Sequence, residues 1–217
     1  MKNLSLAALS LWAKKSNKEE MLWLPLVMHL IDSAAIAKKL WNHWLSLGVH
    51  AAIQSGLTEP EKAEELFVFL MAAHDLGKAT PVFQAKNTGF RSGDLDECLL
   101  EKLVAAGLPM KPFQAFTAPG KTPHALASYQ LLKRDGCHKN VAVILGSHHG
   151  KPPDKAMVLD CTIAAYEENF HLEVAGLQAK SGPRCGCARY QNRLQQSSQN
   201  AYSKAHVRKK EPRQPTA

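Results

Sequence analysis

The spacing of apolar residues along the chain predicts mainly helices. Residues 23–44 carry Leu, Ile, Ala and Trp at helical intervals, and Pro25 stands near the start, where a missing N–H does no harm. Residues 61–75 are predicted as a second helix, because Pro60 and the acids after it suit a helix amino end. The later half of this segment is apolar on every side, which is typical of a buried central helix.

Weaker patterns complete the helical picture. Residues 94–106, 124–134 and 154–170 are predicted to be helical, and Thr122-Pro123 is a suitable start for the second of these. The apolar run 141–145 is compatible with a buried strand or with a helix. The sequence therefore predicts an all-α domain, and no run approaches the ~20 apolar residues of a membrane span.

Charge divides the chain into two parts. The formal net charge is +8, yet residues 1–177 hold equal numbers of basic and acidic side chains. Residues 178–217 hold the excess Lys and Arg, and Glu211 is the single acid among them. They also carry few large apolar side chains, too few to offset the entropy cost of ordering. We therefore predict a folded domain over 1–177 and a basic, disordered tail over 178–217.

Cysteine usage and the amino terminus bear on location. The 5 cysteines show no paired spacing, which fits a reducing compartment better than a disulfide framework. The first apolar run faintly resembles a secretion signal, but it is short, polar in places and without a clear cleavage site. The predicted location is the cytoplasm, with no membrane association.

The 10 histidines invite a search for a metal site. Imidazoles are good ligands for Mn, Fe, Co and Ni, and a carboxylate adds neutralising charge. An ionisable pair at the end of an apolar helix needs a partner or a metal ion if it is buried. The candidate ligands are His29, His74, Asp75, His124, His148 and His149.

Each candidate also has an ordinary structural interpretation. A single histidine on an apolar helix face, such as His29, is more often a hydrogen-bonded core residue than a ligand. The dipeptides His74-Asp75 and His148-His149 occur by chance in many proteins. Asp32 follows His29 on the same helical face and could orient its imidazole or simply lie in solvent.

Taken together, four blocks resemble the HD superfamily of metal-dependent phosphohydrolases. The finer pattern is similar to the HD nuclease domain of the CRISPR-associated nuclease-helicase of type I interference systems. The blocks are residues 24–32 ending in His29-x-x-Asp32, residues 74–78 with Phe83-Gln84 after them, residues 123–125, and residues 146–150.

The resemblance implies a fold, a site and an activity. It implies a helical domain in which the six candidate ligands hold one or two divalent transition-metal ions, with Asp75 and Lys78 as catalytic residues. The implied activity is cleavage of single-stranded DNA in antiviral defence, on a strand supplied by a helicase and first exposed by an RNA-guided surveillance complex. In this mechanism Asp75 bridges the ions and Lys78 offsets charge on the phosphate.

Two departures from the family pattern stand out. There is no helicase part or nucleotide-binding P-loop, so a helicase would be a separate partner. The family's late Asp ligand, in an Ala-Asp-Trp-like block, also has no match, since Asp154 and Asp160 lie too close to the histidine pair. We interpret the chain as a truncated or frameshifted form of the longer protein, with a genuine nucleic-acid-binding tail as the alternative.

These departures leave three functions open. The leading one is the metal-dependent nuclease, inactive if the missing Asp and helicase part are essential. The second is an HD phosphohydrolase of nucleotides, and the third is a non-catalytic remnant or binding module.

Overall fold

The computed structural model describes residues 4–16, 21–87, 93–160 and 166–172. These are mainly helical, which confirms the predicted fold class. The division at residue 177 and the tail 178–217 lie outside the described residues, so both stay predictions. The helices are α1 (Leu6–Ser10), α2 (Leu26–His43), α3 (Leu47–Ser55), α4 (Ala63–Ala73), α5 (Pro81–Gln84), α6 (Gly93–Ala105), α7 (His124–Arg134), α8 (Lys139–Gly146), α9 (Lys155–Asp160) and α10 (Glu167–Phe170).

A short antiparallel hairpin precedes the first long helix. Strands β1 (Trp12–Lys15) and β2 (Trp23–Pro25) pair with each other, and α2 starts directly after β2. The prediction that a helix begins at residue 23 was therefore wrong, because residues 23–25 form a short strand and the helix begins at Leu26. Pro25 explains the boundary, because its extended conformation (φ −58°, ψ 139°) lies outside the helix.

Helix α2 packs one face on the rest of the domain. Its buried residues recur at the helical period, and Leu26 and Ala37 are fully buried. This face lies mainly against α4, and the pairing of the two helices fixes His29 relative to the end of α4.

Among the helices of eight or more residues, α7 is the most buried, rather than α4. Every residue from Ala125 to Leu132 is buried, whereas α4 buries only Ala63, Val68 and Ala73. The expectation of a fully buried α4 was wrong, because that helix packs against α2 with one side and keeps its other side partly exposed. Small residues such as Ala127 allow α7 to be approached closely by α8 and by the turn at 76–79.

Two further elements differ from or extend the sequence patterns. Helix α3 was not predicted, although Ser46 caps it by accepting a hydrogen bond from the Val49 N–H at 3.3 Å. The ambiguous run 141–145 is helical and belongs to α8. Within the part of the chain that the structure describes, no helix combines the length and the apolar character needed to cross a bilayer.

Candidate metal centre

Four separate elements bring the candidate ligands to one place. His29 lies in α2, His74 follows α4 directly, His124 is the first residue of α7, and the histidine doublet follows α8. All of the predicted site residues meet around the buried carboxylate of Asp75, which is 4% exposed. The role of these residues as metal ligands stays a prediction.

One oxygen of Asp75 faces α2 and the turn after α4. Its Oδ2 lies 2.7 Å from Nε2 of His29 and 3.2 Å from Nε2 of His74. The ammonium of Lys78 is 2.7 Å from the same oxygen. This side of the carboxylate therefore collects two imidazoles and one fixed positive charge.

The other oxygen faces α7 and α8. Oδ1 of Asp75 lies 3.2 Å from Nε2 of His124 and 3.3 Å from Nε2 of His148. His149 completes this side, with its Nε2 2.8 Å from Nε2 of His124. Asp75 is thus placed between two groups of donors, one at each of its oxygens.

Backbone carbonyls fix the protons on two of the imidazoles. Nδ1 of His74 lies 2.8 Å from the carbonyl oxygen of Met71, and Nδ1 of His148 lies 2.7 Å from that of Leu145. A carbonyl oxygen can only accept, so each Nδ1 must donate its N–H. In the neutral imidazoles the Nε2 atoms therefore carry the lone pairs, and these face Asp75.

The donor set has the chemistry of a cation site. A lone pair on Nε2 repels a carboxylate oxygen unless a second proton or a cation lies between them. Nε2 of His148 is buried and makes no hydrogen bond, although Asp75 is close. Imidazole nitrogens with few carboxylates favour transition metals over calcium or magnesium.

Two groups of donors satisfy the spacing that a metal ion needs. Within each group all the donor atoms lie within 4.8 Å of one another. The first group is His29, His74 and Asp75, and the second is His124, His148 and His149. Either group could hold an ion.

The electrostatics keep Asp75 ionised. Burial by itself would raise the pKa of this carboxyl, but the surrounding imidazoles outweigh burial and hold the pKa far below its ordinary value. The carboxylate in turn acts on its neighbours. The pKa of His74 is raised, because attraction to Asp75 and the Met71 carbonyl exceed the opposing effect of burial. Burial prevails at His124, whose pKa is lowered.

A serine that the sequence did not single out joins two of these elements. The Ser128 hydroxyl is fully buried in α7 and accepts a 2.8 Å hydrogen bond from the Gly77 N–H. Its single O–H lies 2.9 Å from the carbonyl oxygen of His74 and 3.1 Å from that of His124, measured from Oγ, and either carbonyl can accept its proton. Ser128 therefore ties the turn that carries Asp75 to the helix that carries His124.

Gln84 supports the same turn from the other side. Its Nε2 donates to the carbonyl oxygens of Lys78 (2.7 Å) and Trp12 (2.9 Å), and its Oε1 accepts from the Trp12 N–H (3.0 Å). The Phe83-Gln84 pair in the sequence pattern is thus explained by a bridge between β1 and the turn after Asp75.

Several other polar residues lie outside the centre. Asp32 is exposed, and the structure gives it no hydrogen bond to His29, so its interpretation as a solvated residue is favoured. His50 stacks on Trp41 with ring centroids 4.3 Å apart. Asp154 accepts a hydrogen bond from the Met157 N–H at 2.9 Å, which suits the start of α9 rather than a metal ligand.

Comparison with known proteins gives a family match. The family described as "Cas3, HD domain" matches residues 12–213. A CRISPR-associated nuclease/helicase Cas3 of Streptococcus thermophilus is 42% identical over 167 residues, which cover 75% of this chain and 18% of that protein. A CRISPR-associated endonuclease/helicase Cas3 of Thermus thermophilus is 35% identical over 153 residues, covering 67% of this chain and 15% of that protein.

The chain thus spans less than a fifth of the length of either curated relative. The search of solved structures gave no significant match.

Proposed function

This chain belongs to the Cas3 HD domain family, and from that premise we propose that it is a metal-dependent nuclease that cuts single-stranded DNA in CRISPR interference. The observation that carries the proposal is the convergence of five imidazoles and one ammonium group around the buried carboxylate of Asp75. A phosphodiester is hard to hydrolyse at neutral pH without such a centre, and the relatives are named as nucleases.

In this proposal the two oxygens of Asp75 would each contribute to a cation site, one on either side of the carboxylate. His29 and His74 would complete the site at Oδ2, and His124, His148 and His149 would complete the site at Oδ1. Divalent transition-metal ions such as Mn, Fe, Co or Ni, one or two per chain, would act there as Lewis acids on the phosphodiester and lower the pKa of water towards ~7.

Lys78 is the proposed catalytic cation. Its side chain is 11% exposed, and its ammonium lies beside the carboxylate of Asp75. A positive charge fixed next to the centre would attract a phosphate and stabilise the negative charge that develops on it during cleavage. The tight fixation of Lys78 means that this group needs little reorganisation when the strand arrives.

The setting of the reaction is part of the proposal. A helicase, on a separate polypeptide or on a longer form of this one, would deliver the strand. An RNA-guided surveillance complex would first expose it. The location would be the cytoplasm, where these partners meet foreign DNA.

Cleavage of circular single-stranded DNA tests the proposal, with Mn, Fe, Co or Ni added in turn. We expect nicking by the wild type that disappears in His74→Ala and persists in His43→Ala, since His43 is an exposed histidine of the same domain. Hydrolysis of free nucleotides without DNA cleavage would instead support the nucleotide phosphohydrolase. A protein that binds no metal and cuts nothing would be a non-catalytic remnant or binding module.

A further inference from the structure

A second lysine lies beside the centre and has no role in the account so far. Lys86 is half-buried, and its Nζ lies 4.9 Å from the centre of the Phe83 ring. Nζ of Lys78 lies 5.6 Å from the same ring centre, so the two ammonium nitrogens are at most 10.5 Å apart. The Phe83 ring in turn meets the ring of His124 at 5.4 Å.

The acids near Lys86 are already engaged. Asp75 is surrounded by its imidazoles and Lys78. Asp96 pairs with Lys15, whose ammonium also donates to the backbone carbonyl of Lys86. Among the residues that the structure describes, no carboxylate lies within ion-pair distance of the Lys86 ammonium.

The Lys78 ammonium has the Asp75 carboxylate beside it at 2.7 Å, whereas the Lys86 ammonium has no such carboxylate among the described residues. Burial lowers the pKa of Lys86, and repulsion from Lys78 lowers it further, so this lysine is held at a cost in stability. Attraction to the face of Phe83 recovers a part of that cost. The two ammonium groups beside the proposed metal centre therefore provide a place for a second negative group close to the phosphate at that centre.

We propose that Lys86 is a phosphate-binding residue, which holds a phosphate of the DNA strand next to the one at the metal centre. The inference rests on the proposed nuclease function and adds a specific substrate contact to it. Lys78 would meet the phosphate that is cut, and Lys86 would meet a neighbouring phosphate, so the strand would run across the edge of Phe83. Such a contact depends on backbone charge and is the same for every base.

The test is binding of a fluorescent oligothymidylate in EDTA, followed by anisotropy over a range of salt concentrations. One lost phosphate contact on a single strand lowers the slope of log K against log salt by about 0.7. We expect Lys86→Gln to lose this amount of slope and to weaken binding about tenfold at low salt, whereas Lys86→Arg keeps the wild-type slope. Lys133→Gln is the matched control, since Nζ of Lys133 also lies over an aromatic ring, 5.6 Å from the centre of that of Tyr129. Lys133 lies at the end of α7 opposite to His124.

Thermal unfolding separates this role from a structural one. Because Lys86 repels Lys78, Lys86→Gln should melt at the wild-type temperature or above it, and a variant that fails to fold would overturn the inference. An unchanged salt slope in Lys86→Gln, or an equal loss in Lys133→Gln, would overturn it too. If the wild type cuts circular single-stranded DNA in either of those cases, the nuclease proposal stands without Lys86; a wild type that neither binds nor cuts the strand refutes both.

Discussion

Replacing Gly77 by alanine should disrupt both the packing of the turn at 76–79 and the metal centre beside it. A Cβ atom at this position would lie 2.0 Å from the carbonyl oxygen of His124 and 2.6 Å from the backbone nitrogen of Ser128. Contacts of a Cβ below 3.0 Å essentially never occur, so the turn and α7 would have to separate by about 1 Å or more. Both obstacles belong to the backbone of a buried helix, which cannot move aside as a flexible side chain could.

The expected cost follows from two contributions. Overpacking of a tight interface costs about 1–3 kcal/mol. Separation would also break the hydrogen bond from the Gly77 N–H to the Ser128 hydroxyl, and a buried donor left unsatisfied costs about 1–3 kcal/mol. We therefore expect Gly77→Ala to lower the free energy of unfolding by about 2–6 kcal/mol, a large share of the stability of a typical domain.

Urea unfolding followed by circular dichroism measures this loss, and metal titration of the folded fraction measures the effect on the site. Gly120→Ala is the matched control, because a Cβ there meets nothing within 4 Å. That change should leave stability unaltered or raise it by about 0.4–1 kcal/mol. If Gly77→Ala unfolds at the same urea concentration as the control and binds metal as the wild type does, the close approach of the turn to α7 is not what positions Asp75.

Two further predictions concern the same centre. Ser128→Ala should lower the free energy of unfolding by about 1–3 kcal/mol, because the Gly77 N–H loses its acceptor. Ser55→Ala removes an exposed hydroxyl and should change the free energy of unfolding by less than about 0.5 kcal/mol. Equal effects of the two changes in urea unfolding would contradict the bridging role of Ser128. Metal affinity should rise about tenfold or more between pH 6 and 8, because the pKa of His74 is raised and its Nε2 must lose a proton before it can bind a cation. His124, whose pKa is lowered by burial, loses its proton at lower pH than His74 does. A flat profile in calorimetry at several pH values would refute this.

The helices that the sequence predicted correctly have clear local boundaries. Helix α7 begins at His124 after Pro123 and ends at Arg134, as predicted. Helix α3 was missed because it buries no residue, so the apolar period that identifies a helix carries little information there. The strand before α2 was missed because three residues are too few to show alternation.

The site was predicted through the resemblance of several blocks, and spacing alone did not determine it. His29 and His148 are separated by more than a hundred positions, so local periodicity could not show that they meet. No sequence motif predicted the contacts that hold the centre together. The approach of Gly77 to α7 and the hydroxyl bridge of Ser128 depend on how helices pack, which a single serine in an apolar helix does not reveal.

The most direct test of the central claim is the metal content of the purified protein, measured by elemental analysis beside that of Asp75→Asn. Asparagine keeps the shape of the side chain but removes the charge that the surrounding imidazoles and Lys78 face. The account predicts about one or two equivalents of a divalent transition metal in the wild type and a near-complete loss in the variant. A wild type without metal after reconstitution, or a variant that keeps the full amount, would contradict it.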